Sequence, residues 1–221
     1  MKGTFVAGTG TEVGKTVVAA VIAHTLSREG KRVAVFKPAV TGLDGEDEPD
    51  HELLRRAAGS AQNDEEIAPY RYGPPASPHL AAELAGAEIQ PAKLLAAARS
   101  AAAGADVLVC EGVGGLLVPL SRDYLVRDLA VALALPLAIA ASPGLGTINH
   151  TLLTLEAARS AGLEVAAVVL TPWPESPSTI EESNRETIAD LGAIRVETLP
   201  ALDLADPGSW PAIPRPQPAP G

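Results

Sequence analysis

Gly8-Thr9-Gly10-Thr11-Glu12-Val13-Gly14-Lys15-Thr16 is the stretch that decides the reading of this chain. Before it lies a short apolar run, Thr4–Ala7, that reads as a strand. After it, Lys15–Arg28 is apolar at Val17, Val18, Val21, Ile22 and Leu26, the spacing of a helix buried on one side, and Gly30 ends it. Glycines between a strand and a helix let backbone N–H groups converge on phosphate oxygens, and the helix N-terminus adds partial positive charge. In such a loop Lys15 reaches the terminal phosphates and the Thr16 hydroxyl ligates Mg²⁺. Five residues separate Gly8 from Gly14, where the common P-loop pattern has four. The plain alternative is a glycine-rich turn.

Outward from this loop, strands and helices alternate. Arg32–Phe36, Asp106–Cys110, Leu137–Ala141, Val165–Leu170 and Ala193–Val196 read as strands. Asp50–Ala58, Pro78–Leu84, Pro91–Ala102, Tyr124–Leu133, Thr147–Ser160 and Thr179–Asp190 read as helices, two of them opened by proline. Strands that are apolar throughout are buried on both faces. The expected fold is therefore α/β: a single-domain parallel sheet with helices on both faces, of the P-loop NTPase type. Ligands then sit at the carboxyl ends of the strands. Residues 1–206 are expected to form this domain. Residues 207–221, with six prolines in fifteen residues, are expected to be a poorly ordered or extended tail.

Composition narrows the function. The chain has 221 residues, 47% apolar and 20% charged, as in an ordinary globular protein. Its longest apolar run, Leu129–Ala141, is thirteen residues broken by Pro136, short of the ~20 that span a membrane. There is no N-terminal apolar signal core, and the single Cys110 can form no internal disulfide, so a cytoplasmic location is expected. A net charge of −10 disfavours nonspecific nucleic-acid binding. Residues 1–40 nevertheless carry six Lys/Arg against two Asp/Glu, which suggests an anionic small ligand; chance clustering is the alternative.

Further candidates stand at strand ends. Glu111-Gly112-Val113-Gly114-Gly115 follows a buried strand. Glu111 is either a second Mg²⁺ contact or a solvated turn residue, and the glycines offer another anion nest. Lys37-Pro38 ends the second strand, where a cation stabilises charge on a transferring phosphoryl group or is simply a surface lysine. Asp50 is open between Mg²⁺ ligand and helix N-cap. The histidines at 24, 51, 79 and 150 share no zinc spacing, and no Gly-x-Ser-x-Gly elbow is present. Cys110 reads as packing rather than nucleophile. Trp173 and Trp210 sit among prolines as lid or rim candidates.

Together these motifs resemble the dethiobiotin synthetase family over about residues 3–200. The resemblance rests on GTGTEVGKT with its five-residue gap, FKPAVTG (36–42), PASPHLAA (75–82), EGVGGLLVPL (111–120) and LGTINHTLLT (145–154). It implies a ligase of biotin biosynthesis that closes a cyclic urea on 7,8-diaminononanoate. The other reactants are CO₂ and Mg²⁺ with ATP or another nucleoside triphosphate, and the intermediates are a carbamate and a carbamic–phosphoric anhydride. It assigns Lys15 and Lys37 to catalysis, and Thr16, Asp50 and Glu111 to the metal. It assigns Glu12, Val13, Gly14, Lys15, Thr16 and Val17, with Gly112, Val113 and Gly114, to the phosphates. Thr11 and Thr41 are assigned to the carbamate or its amine. Asn149 is assigned to the substrate carboxylate from the partner of a homodimer with shared active sites, and Asn184 adds a contact. Many members carry Asn-Asp where this chain has Thr171-Pro172-Trp173-Pro174, so the adenine-reading amide is missing. Thr171 and Pro172, with backbone groups near Pro200, Ala201 and Leu202, are then expected to hold the base, with relaxed selectivity.

Three other readings compete. A partitioning- or carrier-type ATPase switch usually has a lysine early in the loop, where this chain has Thr9, Gly10 and Thr11. A signalling GTPase needs Asn-Lys-x-Asp, which is absent. An amidotransferase-type synthetase needs a glutaminase, and no cysteine–histidine pattern for one is present.

Overall fold

The computed structural model describes residues 1–45 and 48–213. In chain order the elements are β1 (Gly3–Gly8), α1 (Lys15–Arg28), β2 (Val33–Phe36), α2 (Asp50–Ala58), α3 (Asp64–Ile67), α4 (Pro78–Leu84), α5 (Pro91–Ala103) and β3 (Val107–Gly115). Then come β4 (Pro119–Ser121), β5 (Tyr124–Leu125), α6 (Val126–Leu133), β6 (Leu137–Ala141), α7 (Thr147–Ser160), β7 (Val165–Trp173), α8 (Thr179–Gly192) and β8 (Val196–Pro200). Among the described residues, six strands form one sheet in the order β2-β3-β1-β6-β7-β8, every pair parallel.

Side chains alternate across this sheet with period two. Val6, Val33, Val35, Val107, Val109, Ala138 and Ala140 join α1 and α2 on one face. Phe5, Ala34, Phe36, Leu108, Cys110 and Leu137 meet α4, α5 and α6 on the other, and α7 and α8 cover Ile139 and Val168 there. The expected parallel sheet with helices on both faces is thus the observed one. The edge strand β2 is closed by a side chain. Gln62 accepts from the Val35 N–H (2.9 Å) and donates to the Val35 carbonyl (3.1 Å), standing in for one residue of a further strand.

Four details differ from the sequence expectation. Tyr124–Leu125 is not helical; it pairs with β4 as a hairpin, because Asp128 caps the Leu125 N–H (2.8 Å) and starts the helix at Val126. The last strand is Val196–Pro200 rather than Ala193–Val196, because α8 runs to Gly192 and Ala193 (φ 42°) turns the chain out of it. Helix α3 was unanticipated; Asn63 and Glu66 build it with a capping box. Residues 207–209 form a 3₁₀ turn, and Trp210 and Ile213 are buried at 6% exposure each, so this part of the expected tail lies in the core. Residues 214–221 lie outside the described residues.

Candidate active site

The first three strands of the sheet bring their carboxyl ends together, and the site is built there. β1 delivers the glycine loop. Gly14 caps α1 in the left-handed region (φ 81°), and a Cβ on it would lie 2.5 Å from Thr171 Cγ2. Only glycine fits that turn. Thr171, buried at the end of β7, therefore packs directly on the loop. Gly8 serves a close approach: its Cβ would meet Lys15 Cδ at 2.7 Å, so the lysine stem lies over it. Lys15 is 7% exposed and its ammonium donates to the Gly10 carbonyl (2.8 Å).

β3 delivers Glu111. Its register to β1 runs from Val6↔Glu111 to Gly8↔Gly115, so β3 bulges by two residues over Gly112–Gly114. β2 delivers Lys37, whose ammonium lies 2.6 Å from Glu111 Oε1 and 2.7 Å from Asp50 Oδ2. Thr16 Oγ1 lies 2.9 Å from both Asp50 Oδ1 and Glu111 Oε1. Lys15, Thr16, Lys37, Asp50 and Glu111 thus form one cluster, and Lys37 is a buried bridge rather than a surface lysine. Asp50 is the first residue of α2, with Pro49 as the N-cap; it is not the cap itself.

Charge in this cluster is set by burial against pairing. Burial works to lower the Lys37 pKa, but Glu111 and Asp50 outweigh it and hold the ammonium above its ordinary value. Burial likewise works to raise Asp50, and Lys37, Thr16 and Lys15 outweigh it, keeping the carboxylate ionised. Burial pulls Lys15 down. Glu111 is fully buried, which pushes it up against the pull of Lys37. Its Oε2 has no hydrogen-bond partner. Burial also pushes the Cys110 thiol far up, as expected of a packing residue.

An orphaned carboxylate oxygen beside a second carboxylate and a hydroxyl suits a hard cation. Among the described residues no group of three or more His, Cys, Asp or Glu is placed to hold a metal ion. Two carboxylates with a threonine match Mg²⁺, which keeps several waters and takes phosphate oxygens as its remaining ligands.

The cleft of about 400 Å³ over this cluster is lined by Thr11, Glu12, Gly14, Thr16, Val17, Thr41, Val113 and Gly114 among others. It continues into a wider one of about 670 Å³ bounded by Leu43, Glu48, Pro75 and Ser77. Leu43 and Glu48 were not foreseen; loop residues carry no periodicity that would mark them. Glu12 takes a positive φ of 58° at the cleft. Val13 packs against the core cluster that includes α1. Three predicted groups stand apart from the cluster. Thr171 and Pro172 immediately precede Trp173, the last residue of β7, Pro200 ends β8 and leads to Ala201 and Leu202, and Asn149 is exposed on the first turn of α7. Asn184 donates its amide to the Pro143 and Gly144 carbonyls (2.9 and 3.3 Å), fixing the turn before α7. Trp210 is no rim residue. It packs edge-on to His24 and donates to the Asp203 carbonyl (2.8 Å).

Residues 2–204 match the AAA domain family. An ATP-dependent dethiobiotin synthetase of Rhodococcus erythropolis is 40% identical over 206 residues, 92% of this chain and 88% of the relative. One of Anaeromyxobacter dehalogenans is 45% identical over 170 residues, 77% and 76% of the two chains. The chain belongs to the dethiobiotin synthetase family. The chain also resembles the cell division ATPase MinD of Pyrococcus furiosus (TM-score 0.53, 16% identity, 90% of this chain and 84% of that one), a likeness of fold alone. The ATPase-switch reading is not favoured, because the relatives matched over most of the chain carry the dethiobiotin synthetase name.

Proposed function

We propose that this chain makes dethiobiotin, an ATP-dependent ligase step of biotin biosynthesis, from 7,8-diaminononanoate and CO₂. The observation that carries the reading is the Lys37 ammonium, held between Asp50 and Glu111 beside Thr16 at the mouth of the phosphate loop. One amine of the diamine adds to CO₂ and loses a proton, giving a carbamate. A carbamate oxygen attacks the γ-phosphorus and ADP leaves. The second amine then attacks the carbonyl carbon, phosphate leaves, and the urea ring closes. Positioning and charge neutralisation are what such phosphoryl transfer demands of a protein.

In this reading Lys15 exchanges the Gly10 carbonyl for phosphate oxygens, and the amides from Glu12 to Val17 cradle the phosphates. Gly112, Val113 and Gly114 offer a second nest. Thr16, Asp50 and Glu111 would hold Mg²⁺, which neutralises phosphate charge when bound. Lys37, kept protonated by its carboxylates, faces the carbamate and the transferring phosphoryl group. Thr11 and Thr41 share the cleft and orient the carbamate or its amine. Thr171, Pro172 and Pro200–Leu202 flank the base. A second copy supplies Asn149 to the substrate carboxylate. Support for that homodimer is the face itself: Leu145 is 97% exposed and Leu153 57% on and before the same helix. Small soluble substrates and a lone buried cysteine support a cytoplasmic setting.

The test is phosphate release from Mg-ATP with and without 7,8-diaminononanoate plus bicarbonate, for the wild type and a folded Lys37→Met variant. Release should require both co-substrates, and the variant should be slower by about 10²–10³-fold, the usual loss for a donor aimed at transition-state charge. Release that ignores the diamine would turn the protein into an ATPase.

A further inference from the structure

The chain beyond β8 is laid across α1 and α2 as a strap. Leu202 and Leu204 pack against the core on that face, where Trp210 and Ile213 are buried. Trp210 closes the strap on itself through the Asp203 carbonyl and sets its ring 5.4 Å from that of His24 on α1. One side chain ties this strap to the cleft. Arg56, in the last turn of α2, donates from Nη2 to the Leu204 carbonyl (3.1 Å) and to Glu48 Oε2 (2.9 Å). Glu48 lines the cleft two residues before Asp50.

The sheet order says what the strap faces. The Lys37–Asp50–Glu111 cluster lies on the β2–β3 side of the phosphate loop. In the proposed reading the γ-phosphate sits at this cluster, which leaves the other side of the loop, towards the ends of β7 and β8, for the nucleoside. Those ends carry Thr171, packed on Gly14, and Pro200, from which the strap starts. We infer that Arg56 is a positioning residue for the nucleoside half of the site, holding the strap in register with the Glu48 loop that leads into Asp50. Its planar fork suits two acceptors at once, which a lysine ammonium reproduces only in part. Arg56 and Glu48 are 40% and 41% exposed, so the pair adds little to folding and its effect belongs to binding.

This inference rests on the site being a nucleoside triphosphate site, and the experiment separates the two. Full-length wild type, Arg56→Gln and Arg56→Lys are titrated calorimetrically with Mg-ATP and, separately, with Mg-tripolyphosphate, which has phosphates and no nucleoside. Arg56→Gln should weaken ATP at least about fivefold and leave tripolyphosphate within about twofold, and Arg56→Lys should recover part of the loss. Equal weakening of both probes, or none, overturns the inference. A wild type that binds tripolyphosphate but not ATP overturns the nucleotide reading instead. Trp210→Phe removes the N–H that closes the strap while keeping a ring on His24. It should show the same selective loss, and serves as the test where Arg56→Gln does not fold.

Discussion

Glu111 carries more of the proposed chemistry than its lone carboxylate suggests. It is fully buried, and only one of its oxygens is satisfied by the protein. Taking a carboxylate out of water without complete pairing costs several kcal/mol (about 3–5 when a buried partner is lost), so such a residue persists where something else completes it. Glu111→Gln keeps the shape and removes the charge. It should raise the Mg²⁺ requirement by about 10–100-fold and leave ATP binding in EDTA within about threefold, measured by metal titration and calorimetry. An unchanged Mg²⁺ requirement would remove Glu111 from the metal site. Its neighbour shows where sequence reasoning stops. Asp50 opens a helix in an acidic stretch, and a cap and a ligand look alike in one dimension. Only the fold brings it to Lys37 and Thr16, 13 and 34 residues away in the chain.

Elements with strong local signals were legible. Asp50–Ala58, Pro78–Leu84, Leu137–Ala141 and Thr147–Ser160 have the bounds their periodicity predicts, because flanking prolines and glycines and apolar spacing agree there. Elements that depend on a partner were not. The β4–β5 hairpin is two short strands whose pairing no local pattern encodes, and the contact from Arg56 to Leu204 spans 148 residues. The end of β7 lies between these cases. The missing amide was visible in the sequence, but the use of Thr171 to pack Gly14 was not. With no amide at that strand end to read adenine, kcat/KM for ATP should exceed that for CTP and GTP by less than about tenfold at equal Mg²⁺. Tenfold is about 1.4 kcal/mol, the net worth of one hydrogen bond. A larger preference for ATP would mean that another side chain reads the base.

At the scale of the whole molecule, the two ends of the sheet divide the labour. The carboxyl ends hold the cleft, and the opposite ends hold the strands together. There Asp106 accepts from both the backbone N–H (2.9 Å) and the Nη2 (2.8 Å) of Arg32, clamping the start of β3 to the start of β2. Hydrogen bonds from Arg32 hold its carboxyl down to about 2. A folded-state pKa below the unfolded one contributes stability above about pH 4, and that contribution is lost as pH falls through about 2. Asp106→Asn should therefore lower the thermal midpoint at pH 7, and the gap to the wild type should close towards pH 2. A gap independent of pH would assign the effect to packing.

The side-chain amide seated on Val35 has a consequence for the crowded state. An open sheet margin is a template on which other chains nucleate, and here the outward N–H and carbonyl of Val35, in the middle of the margin, are already spoken for by Gln62. Heating a concentrated Gln62→Ala sample should scatter light at lower temperature than the wild type. Equal onset would mean that the neighbouring backbone contact, Lys37 N–H to the Ile67 carbonyl (2.8 Å), is enough to keep that margin shut to fibrillar recruitment.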